Sequence, residues 1–128
     1  HNSGRRQRQM CIRDRKNPGE IHTTLHTTDS YGKSKNTKIT NLDNIEQGFH
    51  VYTMHWDKDQ IQFTIDNNIV YTFSPDNKND SVWPFDKPFY LILNLAIGGH
   101  FGGFEVDNNV FPQEFIIDYI KVYDDTKD

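Results

Sequence analysis

The chain is 128 residues long, carries a formal net charge of −4 and has one cysteine, Cys11. That length bounds it to one domain or part of one, able to bury about two-thirds of its unfolded surface. One cysteine excludes an internal disulfide framework, and no segment approaches the length of a membrane-spanning helix, so no membrane partner is expected.

The charge is unevenly placed. Residues 1–16 hold six Lys/Arg against one acid, Asp14, and residues 17–128 hold eight Lys against seventeen acids. An acidic body argues against a nucleic-acid partner, which needs a basic field to neutralise phosphate. The basic head is short and has no aromatic residue to stack on a base. It also lacks the apolar stretch of a secretory signal. The run RRQRQMCIRDR resembles translated sequencing-adapter sequence. Residues 1–16 are therefore expected to be a disordered or artefactual segment outside the domain, which would occupy 17–128.

From Glu20 the pattern becomes that of β-structure. EIHTTLHT is short and β-branched and predicts a strand. TDSYGKSKNTK is a polar loop, KITNL a short strand and DNIEQG a turn. In FHVYTMHW, Phe49, Val51, Thr53 and His55 fall on one face, and His50, Tyr52, Met54 and Trp56 on the other. Residues 57–60 make a turn. Ile61, Phe63 and Ile65 then alternate with Gln62, Thr64 and Asp66, the period of a half-buried strand. Asn67–Asn68 suits a two-residue hairpin turn with positive φ, and 69–73 is the return strand. DNKNDSVWPFDKP is a loop punctuated by Pro84 and Pro88. FYLILNLAIGG reads as a strand covered on both faces, HFGGFEVDNNVFP as a glycine-rich loop, and QEFIIDYIKVYDD as a closing strand. About six or seven strands and no helical period predict an all-β sandwich of antiparallel sheets.

The run WPFDKPFYLILNLAIGG, followed by Gly102–Gly103, VFPQEF and IDYIKVY, resembles the C-terminal half of glycoside hydrolase family 16, nearest to laminarinase-like endo-β-1,3-glucanases. NPGEIHTTLHT and FHVYTMHWDKDQIQFTIDN match in the same order. The resemblance covers roughly 17–124. It implies part of a β-jelly-roll sandwich of the concanavalin A-like type, whose curved inner sheet forms a cleft for a glucan. It also implies retaining hydrolysis by two glutamates on one strand with an aspartate between them. Retention needs two carboxyls about 5–5.5 Å apart across the scissile bond, and alternate residues of a strand share a face. In the family that strand lies just before NPGEIHTTLHT, at about 7–12 here. Gln7, Arg8, Gln9, Met10, Cys11 and Ile12 include no carboxylate. The chain is thus expected to have no catalytic residues of its own and no glucanase activity.

Four residues are candidates for substrate binding. The resemblance places His26 on the strand beside the catalytic one, facing the cleft; the competing role is a local hydrogen bond. Asn94, polar inside an apolar strand, either faces the cleft or satisfies nearby backbone. Trp83 and Phe101 are flat apolar platforms for pyranose rings. Where laminarinase-like members commonly carry tryptophan, this chain has Phe101, which lacks an indole N–H. Trp56 suits the core. Asp118 matches a calcium-ligand position in many members. Calcium takes several oxygen ligands, and the others belong to the upstream half, so no cofactor is required here and a structural calcium is expected only in a full-length parent. The six histidines show no HExxH spacing. Asn79–Asp80–Ser81 is a glycosylation sequon, informative only in a eukaryotic secretory context.

The expected function is that of a fragment of a secreted or cell-surface β-1,3-glucan hydrolase, with β-glucan as partner. The alternative is a non-catalytic β-glucan-binding jelly roll. Half a sandwich leaves sheet edges and an inner face uncovered, so poor solubility is expected as well.

Overall fold

Ile61, Phe63 and Ile65 put one apolar side chain every second residue, and a strand turns all three to one face. The computed structural model, which describes residues 8–13, 19–29 and 36–124, buries all three almost completely, with Gln62 and Thr64 half-covered behind them. The element is β5 (Ile61–Ile65), central in an antiparallel sheet with β4 (Tyr52–Trp56) and β6 (Asn68–Phe73). A second antiparallel sheet has β2 (Glu20–Leu25) between β1 (Arg8–Arg13) and β3 (Asn36–Asn41). The all-β class and antiparallel pairing expected from the sequence are what the structure contains.

One core cluster draws on both sheets. Ile21 and Leu25 come from β2, the β5 trio and Val70 from the other sheet, Ile45 from the loop between the sheets, and Trp83 and Phe85 from the loop after β6. Burying an aliphatic or aromatic side chain of this size contributes about 1.5–3 kcal/mol. Trp83 lies flat on Phe73, 5.9 Å between centroids at 13°, and meets Phe85 edge-on at 5.5 Å. Trp56 is half-buried as expected of a core residue, its indole donating to the Phe85 carbonyl at 2.9 Å.

The β5–β6 hairpin turns one residue earlier than Asn67–Asn68. Ile65 pairs with Asn68, and the central residues are Asp66 (φ 48°) and Asn67 (φ 68°). Positive φ at both positions is the type I′ geometry that matches strand twist. The shift places the Asp66 carboxylate against the backbone N–H of Val51 at 2.9 Å, a bond unavailable if Asp66 stayed in the strand. A register irregularity at Phe63/Thr64 skips Val70. Such a bulge lets two successive residues oppose one, and Val70 is 7% exposed while Ile69 is 63% exposed. Gly19, at φ 81°, accepts from Leu42 N–H at 2.9 Å, and a Cβ there would stand 3.0 Å from the Leu42 carbonyl oxygen. Only glycine fits that approach without strain.

Three regions differ from the sequence reading. Residues 8–13, part of the segment expected to be disordered or artefactual, form β1 and pair antiparallel with β2 from Arg8↔Leu25 to Arg13↔Glu20. The free edge of β2 offers backbone donors and acceptors, and backbone pairing asks little of composition. Residues 1–7 and 14–18 lie outside the described residues. Neither 89–99 nor 113–124 forms a strand, although both are apolar and patterned for one. Leu91, Ile92, Ile116 and Tyr123 are 62%, 67%, 63% and 78% exposed. A strand exists only where its N–H and C=O groups join a ladder, and among the described residues neither segment is part of a sheet. Between them lie a four-residue helix, α1 (Gly99–Gly102), and a 3₁₀ turn at Asn108–Val110.

Candidate functional site

β2 separates two environments by its period of two. Ile21, Thr23 and Leu25 enter the core with no exposed surface. Glu20, His22 and Thr24 alternate with them on the opposite face, and His26 continues that row just past the strand. Glu20 and His22 are joined side chain to side chain through Oε1 and Nε2. Thr24 shares a hydroxyl hydrogen bond with its cross-strand partner Thr37 at 3.1 Å. Burial holds the imidazolium form of His26 down, lowering its pKa from the ordinary histidine value. His26 therefore stands as a neutral ring at neutral pH, able to donate from one nitrogen and accept at the other.

β1 flanks this row. Gln9, Cys11 and Arg13 stand in register with Thr24, His22 and Glu20. The strand at the free edge of β2 thus reads RQMCIR and carries no carboxylic acid. Glu20 is the one carboxylate on β1–β3, so these three strands hold no pair of acids.

The other expected site residues are not gathered here. Trp83 is 5% exposed and belongs to the core, which corrects its expected place as a sugar platform: Phe73 and Phe85 already cover the indole. Asn94 is exposed in the unpaired segment 91–97. Phe101 lies in α1, and its side chain falls outside the described residues. Asp118 is exposed in segment 113–124, which forms no strand. Among the described residues no three His, Cys, Asp or Glu side chains are grouped to hold a metal. A cavity of about 260 Å³ opens elsewhere, lined by Gly19 and residues 42–47, and touches none of the expected site residues. Among the described residues no helix is long and apolar enough to cross a membrane.

Two side-chain pairs were not singled out from the sequence. Glu20–His22 was legible, since residues two apart on a strand share a face. His50–Asp66, with Nδ1 and Oδ2 2.6 Å apart, was not: sixteen positions separate them, and the chain reversal that joins them is tertiary.

The sequence profile of glycosyl hydrolases family 16 matches residues 15–121. The chain belongs to glycosyl hydrolase family 16. A β-glucanase of Rhodothermus marinus is 34% identical over 116 residues, covering 84% of this chain and 40% of that protein. A β-1,3-glucan-binding protein of Penaeus monodon is 31% identical over 104 residues, covering 64% of this chain and 28% of its own length. The crystal structure of laminarinase from Flavobacterium sp. UMI-01 superposes with a TM-score of 0.71 at 54% identity, over 75% of this chain and 42% of that one. This family 16 chain therefore spans well under half the length of these relatives.

Proposed function

We propose that this chain is the C-terminal portion of a secreted family 16 hydrolase that cleaves β-1,3-glucan, or a related β-glucan, with retention of configuration. Its substrate would be a polysaccharide of the kind named for its relatives, a β-glucanase and a laminarinase. In this reading the polar row Glu20, His22, Thr24 and His26 floors one side of the glucan cleft. His26, kept neutral by burial, would present its ring toward sugar hydroxyls. Asn94 and Phe101 would join it once their segments are paired. The acid pair would be supplied by residues that this chain does not contain, as would any structural calcium ligands beside Asp118.

The observation that carries the proposal is β1. The family's acid strand is expected at the edge of β2, and that edge is occupied by Arg8–Arg13 without a carboxylate. Retaining hydrolysis needs two carboxyls about 5–5.5 Å apart, and one glutamate cannot both attack and protonate. The exposed apolar runs 90–97 and 115–123 support the same reading, because apolar surface left uncovered is what part of a jelly roll would show.

The purified chain is expected to release no reducing ends from laminarin. Hydrolysis that survives replacement of Glu20 by Gln would overturn both the inactivity and the placement of the acid strand. The relative named a β-1,3-glucan-binding protein supports a second reading, a binding module without catalysis. The coding sequence upstream of Lys16 separates the two: an acid–x–acid–x–x–acid strand there means an enzyme, and its absence from a complete chain means a binder.

A further inference from the structure

Loop 43–48 joins the two sheets, and its Ile45 side chain is 4% exposed in the core. His50 follows this loop, and its ring faces acceptors on both sides. Nδ1 lies 2.6 Å from Asp66 Oδ2 on the β5–β6 turn. Nε2 lies 2.8 Å from the Gln47 carbonyl oxygen and 3.2 Å from that of Asn44. Neither carbonyls nor a carboxylate can donate. A neutral imidazole has one N–H, so it would turn a lone pair toward an oxygen on one side. Only the imidazolium satisfies all three acceptors.

Asp66 is committed in the same way. Its Oδ1 accepts from Val51 N–H at 2.9 Å, and its own N–H donates to the Val51 carbonyl at 2.9 Å. The turn therefore grips the chain just ahead of β4, and His50 extends that grip to the loop. We propose that His50 is a pH latch: as an imidazolium it ties loop 43–48 to the β5–β6 turn, and deprotonation releases the loop from the turn. Release would loosen the backbone that seats Ile45 and would widen the cavity lined by Gly19 and residues 42–47.

The charged groups on the surrounding elements are Asp43 and Glu46 on the loop and Asp66 on the turn. Glu46 is engaged elsewhere, accepting from Gly19 N–H at 2.8 Å. Asp66 alone among them acts on the ring. The hydrogen bond to Asp66 and the carbonyl bonds raise the pKa of His50 above the ordinary value, and the bonds from His50 and Val51 lower that of Asp66. A raised imidazole pKa stabilises fully below the ordinary value of about 6.5 and is lost as pH rises through the raised one. A depressed carboxyl pKa stabilises above its ordinary value of about 3.9 and is lost as pH falls through the lowered one. The latch is closed between those limits. It does not depend on whether the family 16 parent is an enzyme or a binder.

Histidine C2-proton exchange read by mass spectrometry, on the intact chain at micromolar concentration, reports the His50 midpoint. That midpoint is expected above the ordinary imidazole value, and D66N should move it down. Amide protection of residues 44–50, corrected for intrinsic exchange, should begin to fall near the ordinary imidazole value and level off by the His50 midpoint, by about tenfold in all for each unit that folding raises the His50 pKa. H50Q should remove the step. A His50 midpoint at or below the ordinary value, protection without a step, or a step that persists in H50Q would each overturn the latch. If H50Q does not fold, a wild-type decline that levels off at the wild-type His50 midpoint decides the matter, and a decline that continues beyond that midpoint overturns it.

Discussion

Thr23 has no exposed surface, and its hydroxyl meets no hydrogen-bond partner among the described residues. An orphaned buried hydroxyl carries its desolvation cost without return, while valine has the same shape and no such demand. Thr23→Val is therefore expected to raise unfolding stability by about 1 kcal/mol. Chemical denaturation reads this as a higher midpoint at an unchanged slope, and a lower midpoint would mean that the hydroxyl is satisfied in solution. Phe85 marks the opposite case. It is 1% exposed and touches the rings of both Trp83 and Phe89. Phe85→Ala should cost about 3–5 kcal/mol, the range for large-to-small changes in a packed core. A loss under 1 kcal/mol would show that the aromatic cluster is not part of the cooperative core. Trp83 teaches the limit of reading one residue: a tryptophan before a proline in a polar loop gives no sign of whether its face meets a sugar or Phe73.

At the scale of elements, β5 and β6 were legible because one face is buried and the other is not, and a slip of one residue would expose every apolar side chain of β5. Their turn was legible in kind and misplaced by one residue, because Asp66, Asn67 and Asn68 all tolerate turn geometry. The choice is made by what Asp66 can reach at Val51 and His50. Asn67 at φ 68° gives a direct check. Asn67→Gly should be tolerated, because glycine enters left-handed backbone freely. Asn67→Val should cost about 1–2 kcal/mol, the penalty of a Cβ crowding the carbonyl there. Thermal midpoints of the two variants settle it, and equal midpoints would place the turn elsewhere. β1 makes the opposite point. Nothing in RQMCIR asks for a strand, yet the open edge of β2 recruits it.

At the scale of the whole molecule, apolar side chains along 90–97 and 115–123 stay in water: Tyr90, Ile97, Phe115 and Val122 are 85%, 57%, 51% and 88% exposed. Contiguous apolar surface of this kind seeks a partner. Sedimentation velocity of the isolated chain is expected to show association that grows with concentration. A single monomeric species that unfolds cooperatively would refute this. The same apolar runs, FYLILNLAIGG and FIIDYIKVY, carried much of the family resemblance.

The sequence by itself determined the all-β class, the positions of β2 to β6, the half-buried face of β5 and membership of family 16. Each of these rests on local periodicity or on ordered motifs, which survive whether or not the rest of a sandwich is present. Tertiary structure alone decided that Trp83 is a core ring, that β1 pairs with β2, that His50 meets Asp66, and that 89–99 and 113–124 form no strand. Those outcomes depend on neighbours brought from distant positions. A strand pattern states which face an element would bury, whereas pairing requires a second backbone within hydrogen-bonding reach.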